Sequence, residues 1–184
     1  MSSKAVVLLA EGFEEIEALT IVDILRRAGV DLVTVGVGGI EVTGAHGVTV
    51  KADVPLEAAP RDGDAVILPG GMPGSANLAI PQVGELVRAY AAAGKIIASI
   101  CAAPALALSP TGVLDGRRVT CYPGFEDAFP ASAERSEDAV VEDGQVITSR
   151  GPGTAHRFAL RLVERLVDGE TAAQLRSGML WDHP

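Results

Sequence analysis

The chain is short of several things, and each shortage closes off a class of function. Two cysteines among 184 residues cannot build a disulfide framework, which points to a reducing compartment. No run of about 18 apolar residues is present to span a bilayer, and Met1-Ser-Ser-Lys4 leads straight into a strand pattern rather than a signal sequence. The reading is therefore a soluble, cytoplasmic protein. Basic residues are few, 15 Lys and Arg against 24 Asp and Glu, and the net charge of −9 speaks against a nucleic-acid partner because phosphate contacts need clustered cations. Arg26-Arg27 and Arg117-Arg118 are isolated pairs and form no basic stripe. Repeats, low-complexity tracts and domain linkers are missing as well, and nearly half of the residues are apolar, so residues 1–184 are expected to fold as one domain with a sizeable core.

Resident groups leave no trace either. None of His46, His156 and His183 is spaced with a second histidine or a cysteine as a metal pair would be, so no metal is expected and each reads as structural or exposed. Gly70-Gly71-Met72-Pro73-Gly74 lacks both the G-x-G-x-x-G fingerprint and the Gly-Lys-Ser/Thr ending of a phosphate loop. No nicotinamide or nucleotide cofactor is expected.

What is present alternates. Ala5–Leu9 is a continuous apolar run, the mark of a strand covered on both faces in a parallel sheet. From Glu14 to Ala28, Ile16, Leu19, Val22, Ile24 and Leu25 recur at helical spacing, and Gly29 closes that helix. Asp31–Gly36 then completes a βαβ unit. Ile40–Val42 and Val48–Val50 predict a hairpin or a small excursion around Gly44-Ala-His46-Gly47, and Leu56–Ala59 a helical turn in a polar connection. Asp64–Leu68 predicts a buried strand, Pro81–Ala93 a helix ended by Gly94, Lys95–Ile100 another strand, and the residues after it a helix stopped by Pro110. Arg118–Tyr122 reads as a strand and Pro123–Asp138 as a loop with a brief helix near Glu126–Phe129. Ala139–Ser149 reads as a hairpin turning at Asp143-Gly144, followed by a helix capped by Thr154 and a short helix near Glu170–Arg176. The pattern is a flavodoxin-like, doubly wound α/β sandwich with a mostly parallel sheet.

In open α/β sheets ligands bind beyond the carboxyl ends of the strands. That directs attention to the residues after Leu9, Leu68 and Ile100, which should meet in one crevice. Cys101 sits at a strand-to-helix corner, since Pro104 just beyond it suits only a helix's first turn. Free amides and the positive end of a helix dipole there favour a thiolate, hence a nucleophile. The alternative is a small buried cysteine.

Glu17 has Phe13 and Ile21 as helical neighbours, which puts its carboxyl on or beside the apolar face. Desolvation and a neighbouring thiolate would raise its pKa and let it act as general acid and base. Glu14 and Glu15 have more polar surroundings and read as solvated charges favouring the helix N-terminus. Gly70-Gly71 is either a tight turn or, with Ala102, a source of backbone amides aimed at an oxygen of the substrate. Cys121 is read as a core thiol, with a resolving role after oxidation as the alternative.

Ala10–Glu17, Leu68-Pro-Gly-Gly71, Ala98-Ser-Ile-Cys-Ala-Ala-Pro104 and Thr148-Ser-Arg-Gly-Pro-Gly-Thr154 together resemble the ThiJ/PfpI superfamily, in its DJ-one branch. The resemblance runs over nearly the whole chain. It implies a flavodoxin-like homodimer whose nucleophile elbow carries a reactive, oxidisable Cys101 bonded to a protonated Glu17, with Gly71 and Ala102 as oxyanion donors. It also implies a cofactor-independent conversion of methylglyoxal or glyoxal, free or as early glycation adducts, to the hydroxy acid. Stress chaperones and oxidation sensors also occur among such proteins. Tyr122 precedes Pro123 where the human-type pattern has a histidine, so a Cys-His dyad is not available there and Tyr122 is left as a substrate-side donor. Ala102, not a histidine, follows the cysteine, which excludes the peptidase branch. His156-Arg-Phe does not supply the late His-x-Glu of amidotransferases.

Overall fold

The computed structural model describes residues 2–181 of the chain. His183 lies outside the described residues. A seven-stranded sheet runs through the middle, made of β1 (Lys4–Ala10), β2 (Asp31–Val37), β5 (Val54–Pro55), β6 (Ala65–Leu68), β7 (Ile96–Ile100), β10 (Val140–Asp143) and β11 (Val146–Ser149). Its order is β10-β11-β7-β6-β1-β2-β5, and every pairing is parallel except β10 with β11. β1, β6 and β7 occupy the centre because each is apolar at successive positions and can be covered on both faces.

The two faces of the sheet bury different helices. Val7 and Leu9 of β1 point to the layer of α1 (Glu15–Arg27), α4 (Ala155–Leu166) and α5 (Gly169–Gly178), where Ile21, Leu25, Phe158 and Leu162 pack together. Val6 and Leu8 point the other way, to α3 (Pro81–Ala92), which supplies Val83, Leu86, Val87 and Tyr90. The one-turn α2 (Gly74–Asn77) lies between β6 and α3 in sequence. This is the mostly parallel, flavodoxin-like sandwich that the alternation of the sequence predicts. Gly29 and Gly94 end α1 and α3 in the left-handed conformation, as their positions require.

The predicted 40–50 excursion is a separate antiparallel pair, β3 (Glu41–Thr43) with β4 (Thr49–Lys51). Three expectations need correction. Arg118–Tyr122 does not extend as one strand: β8 covers Arg118–Val119 alone and pairs with β9 (Glu134–Arg135) inside the supposed loop. The chain leaves the ladder because the Thr120 amide donates to Thr148 Oγ1 and the Tyr122 amide to the Cys101 carbonyl. After Cys101 the chain forms a π turn over Pro104–Leu108 and a 3₁₀ turn over Ser109–Thr111 in place of a regular α-helix. Pro110 fits inside that 3₁₀ turn, and Gly112, at φ 80°, is the stop. Thr154 stands at the N-cap of α4, but its hydroxyl turns back to Gly151 and Ser149 instead of capping the helix. Among the described residues no helix is long and apolar enough to cross a membrane.

Candidate active site

Because β1, β6 and β7 run parallel, their carboxyl ends open onto one edge. There the Glu14 amide donates to the Gly70 carbonyl at 2.9 Å, and the Gly70 amide donates to Oε2 of Glu17 at 2.8 Å. Gly70 also packs against Cys101, where a Cβ on the glycine would lie 2.4 Å from Cys101 Cβ, so the segments after all three strands meet, as the topology rule requires.

Cys101 adopts φ 66°, a left-handed conformation that costs a non-glycine residue about 1 kcal/mol or more. Two backbone bonds hold it: its amide donates to Ser149 O at 3.0 Å, and its carbonyl accepts from the Tyr122 amide at 2.8 Å. The Ser149 hydroxyl is tied in turn to Ala139 O and to Thr154, which fixes the strand end that grips Cys101. This sharp corner is a nucleophile elbow. The sequence places the corner; the positive φ and its backbone clamp come from β11 and the 120–122 segment.

Glu17 is fully buried, as is Ile21 one turn on in α1; Phe13 is buried too, but it precedes the helix, which starts at Glu15, so it is not a helical neighbour as the spacing predicts. Burial pushes its carboxyl up to about 7, and the charge of Glu14 adds to that, while the Gly70 amide and the Cys101 thiol pull the other way. Oε1 of Glu17 is buried with no partner of standard geometry among the described residues, which makes an ionised carboxylate costly there. Gly70 has to be glycine: a Cβ there would lie 2.4 Å from Cys101 Cβ and 2.5 Å from Glu17 Oε2. Gly71, at φ 97°, is equally constrained, with a Cβ falling 2.3 Å from the Glu14 amide nitrogen.

The thiol does not behave as its corner position alone predicts. Burial first, and then the charge of Glu17, push Cys101 up to about 12, and the Gly71 and Ala102 amides that bond the sulfur only partly offset this. The five-residue π turn is also a weaker dipole source than a full helix. Thiol and carboxyl are thus a close pair competing for protons in a dry pocket, and the second negative charge is what both resist.

Glu14 and Glu15 are not solvated, contrary to the sequence reading. Each is only 8% exposed. Glu14 does cap α1, accepting the Ile16 amide, but Glu15 turns to the β3–β4 tip and takes the His46 amide at 2.7 Å and its Nδ1 at 2.9 Å. Nothing in the sequence signals that contact, because His46 lies 31 residues away on a hairpin. Tyr122 is half-exposed beside Gly151 and stacks edge-on against Phe125. Cys121 is buried, and His156 stacks on Trp181 with ring centroids 4.0 Å apart.

Comparison with known proteins agrees with this geometry. The sequence pattern of the DJ-1/PfpI family matches residues 3–165. Similar proteins include dj-1beta of Drosophila melanogaster, 40% identical over 98% of both chains, and the Parkinson disease protein 7 homolog of Danio rerio, 42% identical over 96% of both. The glutathione-independent glyoxalase DJR-1.2 of Caenorhabditis elegans is 36% identical over 94% of this chain and 93% of its own. The solved structure of oxidized Toxoplasma gondii DJ-1 superposes with a TM-score of 0.93 at 38% identity, covering 97% of this chain and 98% of that one. The chain belongs to the DJ-1/PfpI family.

Proposed function

We propose that the protein is a cofactor-independent glyoxalase, converting methylglyoxal or glyoxal, free or as early glycation adducts, to the hydroxy acid with Cys101 as nucleophile and Glu17 as acid and base. The observation that carries this reading is the buried Glu17 carboxyl, poised near neutrality beside a cysteine that, among the described residues, has no histidine acting on it. The glyoxalase named among the relatives supports the same class.

In the proposed sequence, Cys101 passes its proton to Glu17 as sulfur bonds to the aldehyde carbon, and the amides of Gly71 and Ala102 face the developing charge. Glu17 returns that proton to the oxygen, giving a hemithioacetal. Its carboxylate then takes the proton from the former aldehyde carbon, and the electron pair left behind forms an enediolate with its charge on the ketone oxygen; Glu17 gives the proton to the neighbouring carbon while the hydroxyl proton shifts from the first oxygen to the second. The resulting thioester is cleaved by water, which frees the hydroxy acid and the thiol with no net oxidation. Tyr122, at the rim, is proposed as a hydrogen-bond donor to the substrate.

Purified protein given methylglyoxal without glutathione should form lactate, and Cys101→Ser or Glu17→Gln should remove it. Equal background rates in wild type and both variants would overturn the assignment. We place the reaction in the cytoplasm, and we propose a homodimer, supported by Ile16 and Leu19 on α1 and Ile40 and Val48 by the adjoining hairpin, all exposed. Analytical ultracentrifugation tests the dimer, and a single monomer peak would rule it out.

A second reading has its own support. A relative of this fold has been solved oxidized, and Glu17 is placed to hydrogen-bond an oxygen on Cys101 sulfur. In that reading peroxide drives Cys101 to the sulfinic acid and the protein works as a redox-gated chaperone. Peptide mass spectrometry after mild peroxide should find the change at Cys101; equal oxidation at Cys121 and the methionines would discard it.

A further inference from the structure

α4 opens on a threonine that does not cap it. Glu14 accepts the Ile16 amide at the start of α1, and Asp168 accepts the Thr171 amide at the start of α5. Thr154 holds the same N-cap position in α4, where threonine is among the favoured residues, yet its side chain accepts no amide of that helix. The hydroxyl is engaged behind the helix instead. It accepts the Gly151 amide at 3.1 Å and lies 2.7 Å from Ser149 Oγ, which donates in turn to Ala139 O at 2.7 Å.

A hydroxyl has one proton to give. Gly151 O lies 2.9 Å from Thr154 Oγ1 but already receives the Thr154 amide, also at 2.9 Å, so the threonine proton is available to Ser149. Donation from the Gly151 amide to Thr154, from Thr154 to Ser149 and from Ser149 to Ala139 uses each proton once. The result is a one-way relay that closes the 149–154 turn on itself.

Both parts of that turn bear on Cys101. Ser149 is fully buried, pairs with Ile100 in the sheet, and accepts the Cys101 amide on its carbonyl at 3.0 Å. Gly151 packs on the ring of Tyr122, whose amide holds the Cys101 carbonyl; a Cβ on the glycine would lie 3.0 Å from Tyr122 Cδ2. The two backbone bonds that clamp the elbow therefore rest on one turn. A left-handed backbone at a non-glycine residue persists only where the surroundings over-determine it. With the turn loosened, Cys101 can relax toward an ordinary φ and take its sulfur off the Gly71 and Ala102 amides.

We propose that Thr154 is a positioning residue for Cys101: its hydroxyl, acting through Ser149 and Gly151, holds the turn that keeps the elbow left-handed and the sulfur on its two amides. The helix forgoes a cap for this, which a threonine serving α4 alone would supply. Thr154 touches no substrate, and the inference rests on the reading of Cys101 as the nucleophile.

Thr154→Val keeps the shape and removes the hydroxyl. In the full chain it should lower kcat for lactate formation from methylglyoxal about tenfold with KM within about twofold, and should raise by about half a unit or more the pH at which iodoacetamide alkylates Cys101 at half its maximal rate. Peptide mass spectrometry reads that rate residue by residue, with Cys121 as the unchanged internal reference. Thr154→Ser, which keeps the hydroxyl, should restore both values. Ser149→Ala breaks the relay from its other end and should reproduce the valine profile, so the test stands even where Thr154→Val does not fold. A valine variant whose Cys101 profile matches the wild type's, or a serine variant shifted as far as the valine one, overturns the proposal whatever their melting temperatures. No lactate from the wild type together with a shifted Cys101 profile in Thr154→Val would instead reject the glyoxalase reading and leave the role of Thr154 standing.

Discussion

Cys101 and Cys121 are brought close by the Tyr122 amide, which follows Cys121 and donates to the Cys101 carbonyl, and burial pushes both thiols up to about 12. Judged by that property alone they are the same residue. Their surroundings differ in kind. Cys101 has an αL backbone, the amides of Gly71 and Ala102 on its sulfur, and a carboxyl that titrates near 7 beside it. Cys121 feels only burial and the more distant charges of Glu126, Arg150 and Arg135. A buried thiol becomes a nucleophile when a neighbour of matched pKa can take its proton as the new bond forms, and only one of the two has such a neighbour.

The sharpest way to break this contrast is a pair of substitutions. Cys101→Ser should lower lactate formation from methylglyoxal by about a thousandfold or more, whereas Cys121→Ser should stay within about twofold. Comparable losses in both would mean that the environment of Cys101 is not special.

A subtler break leaves both thiols in place. Gly70→Ala would drive a methyl group into Cys101 Cβ and Glu17 Oε2, and nothing comparable happens near Cys121. Activity should fall about a hundredfold, with a stability loss of about 1–3 kcal/mol from overpacking. A variant that unfolds normally and keeps full turnover would show that the pair tolerates separation.

The mildest probe is pH. Activity should rise as pH climbs through about 7, when the Cys101–Glu17 pair sheds the first of its two protons and a carboxylate becomes available to take the thiol's. Stability should move the opposite way. The folded Glu17 carboxyl keeps its proton up to about 7, whereas the unfolded one loses it near an ordinary glutamate value, so the native state binds more protons between roughly pH 4 and 7 and stability falls across that window. The loss is on the order of 3 kcal/mol, and Glu17→Gln should remove that slope in denaturant titrations at pH 5 and pH 8. An unchanged slope in the variant would assign the pH dependence to other groups.

Much of the site was readable from spacing. The topological rule that ligands gather beyond strand ends points to Glu17, Gly70, Gly71 and Cys101 as one group, and in the structure all four meet. Glu15 departs from its local pattern because its partner is a hairpin tip, and local polarity says nothing about what folds over a helix start. The strand expected over Arg118–Tyr122 stops short for a related reason: the amides at Thr120 and Tyr122 are claimed by Thr148 and Cys101, which are remote in sequence.

The sequence by itself determined the alternation of buried strands and amphipathic helices, the glycine stops and the apolar setting of Glu17, because these follow from side-chain period and backbone sterics over a few residues. The tertiary structure alone decided the left-handed turn at Cys101, the raised thiol and the pairing of His46 with Glu14 and Glu15. Those depend on desolvation and on hydrogen bonds between distant segments, which exist only once the layers have closed.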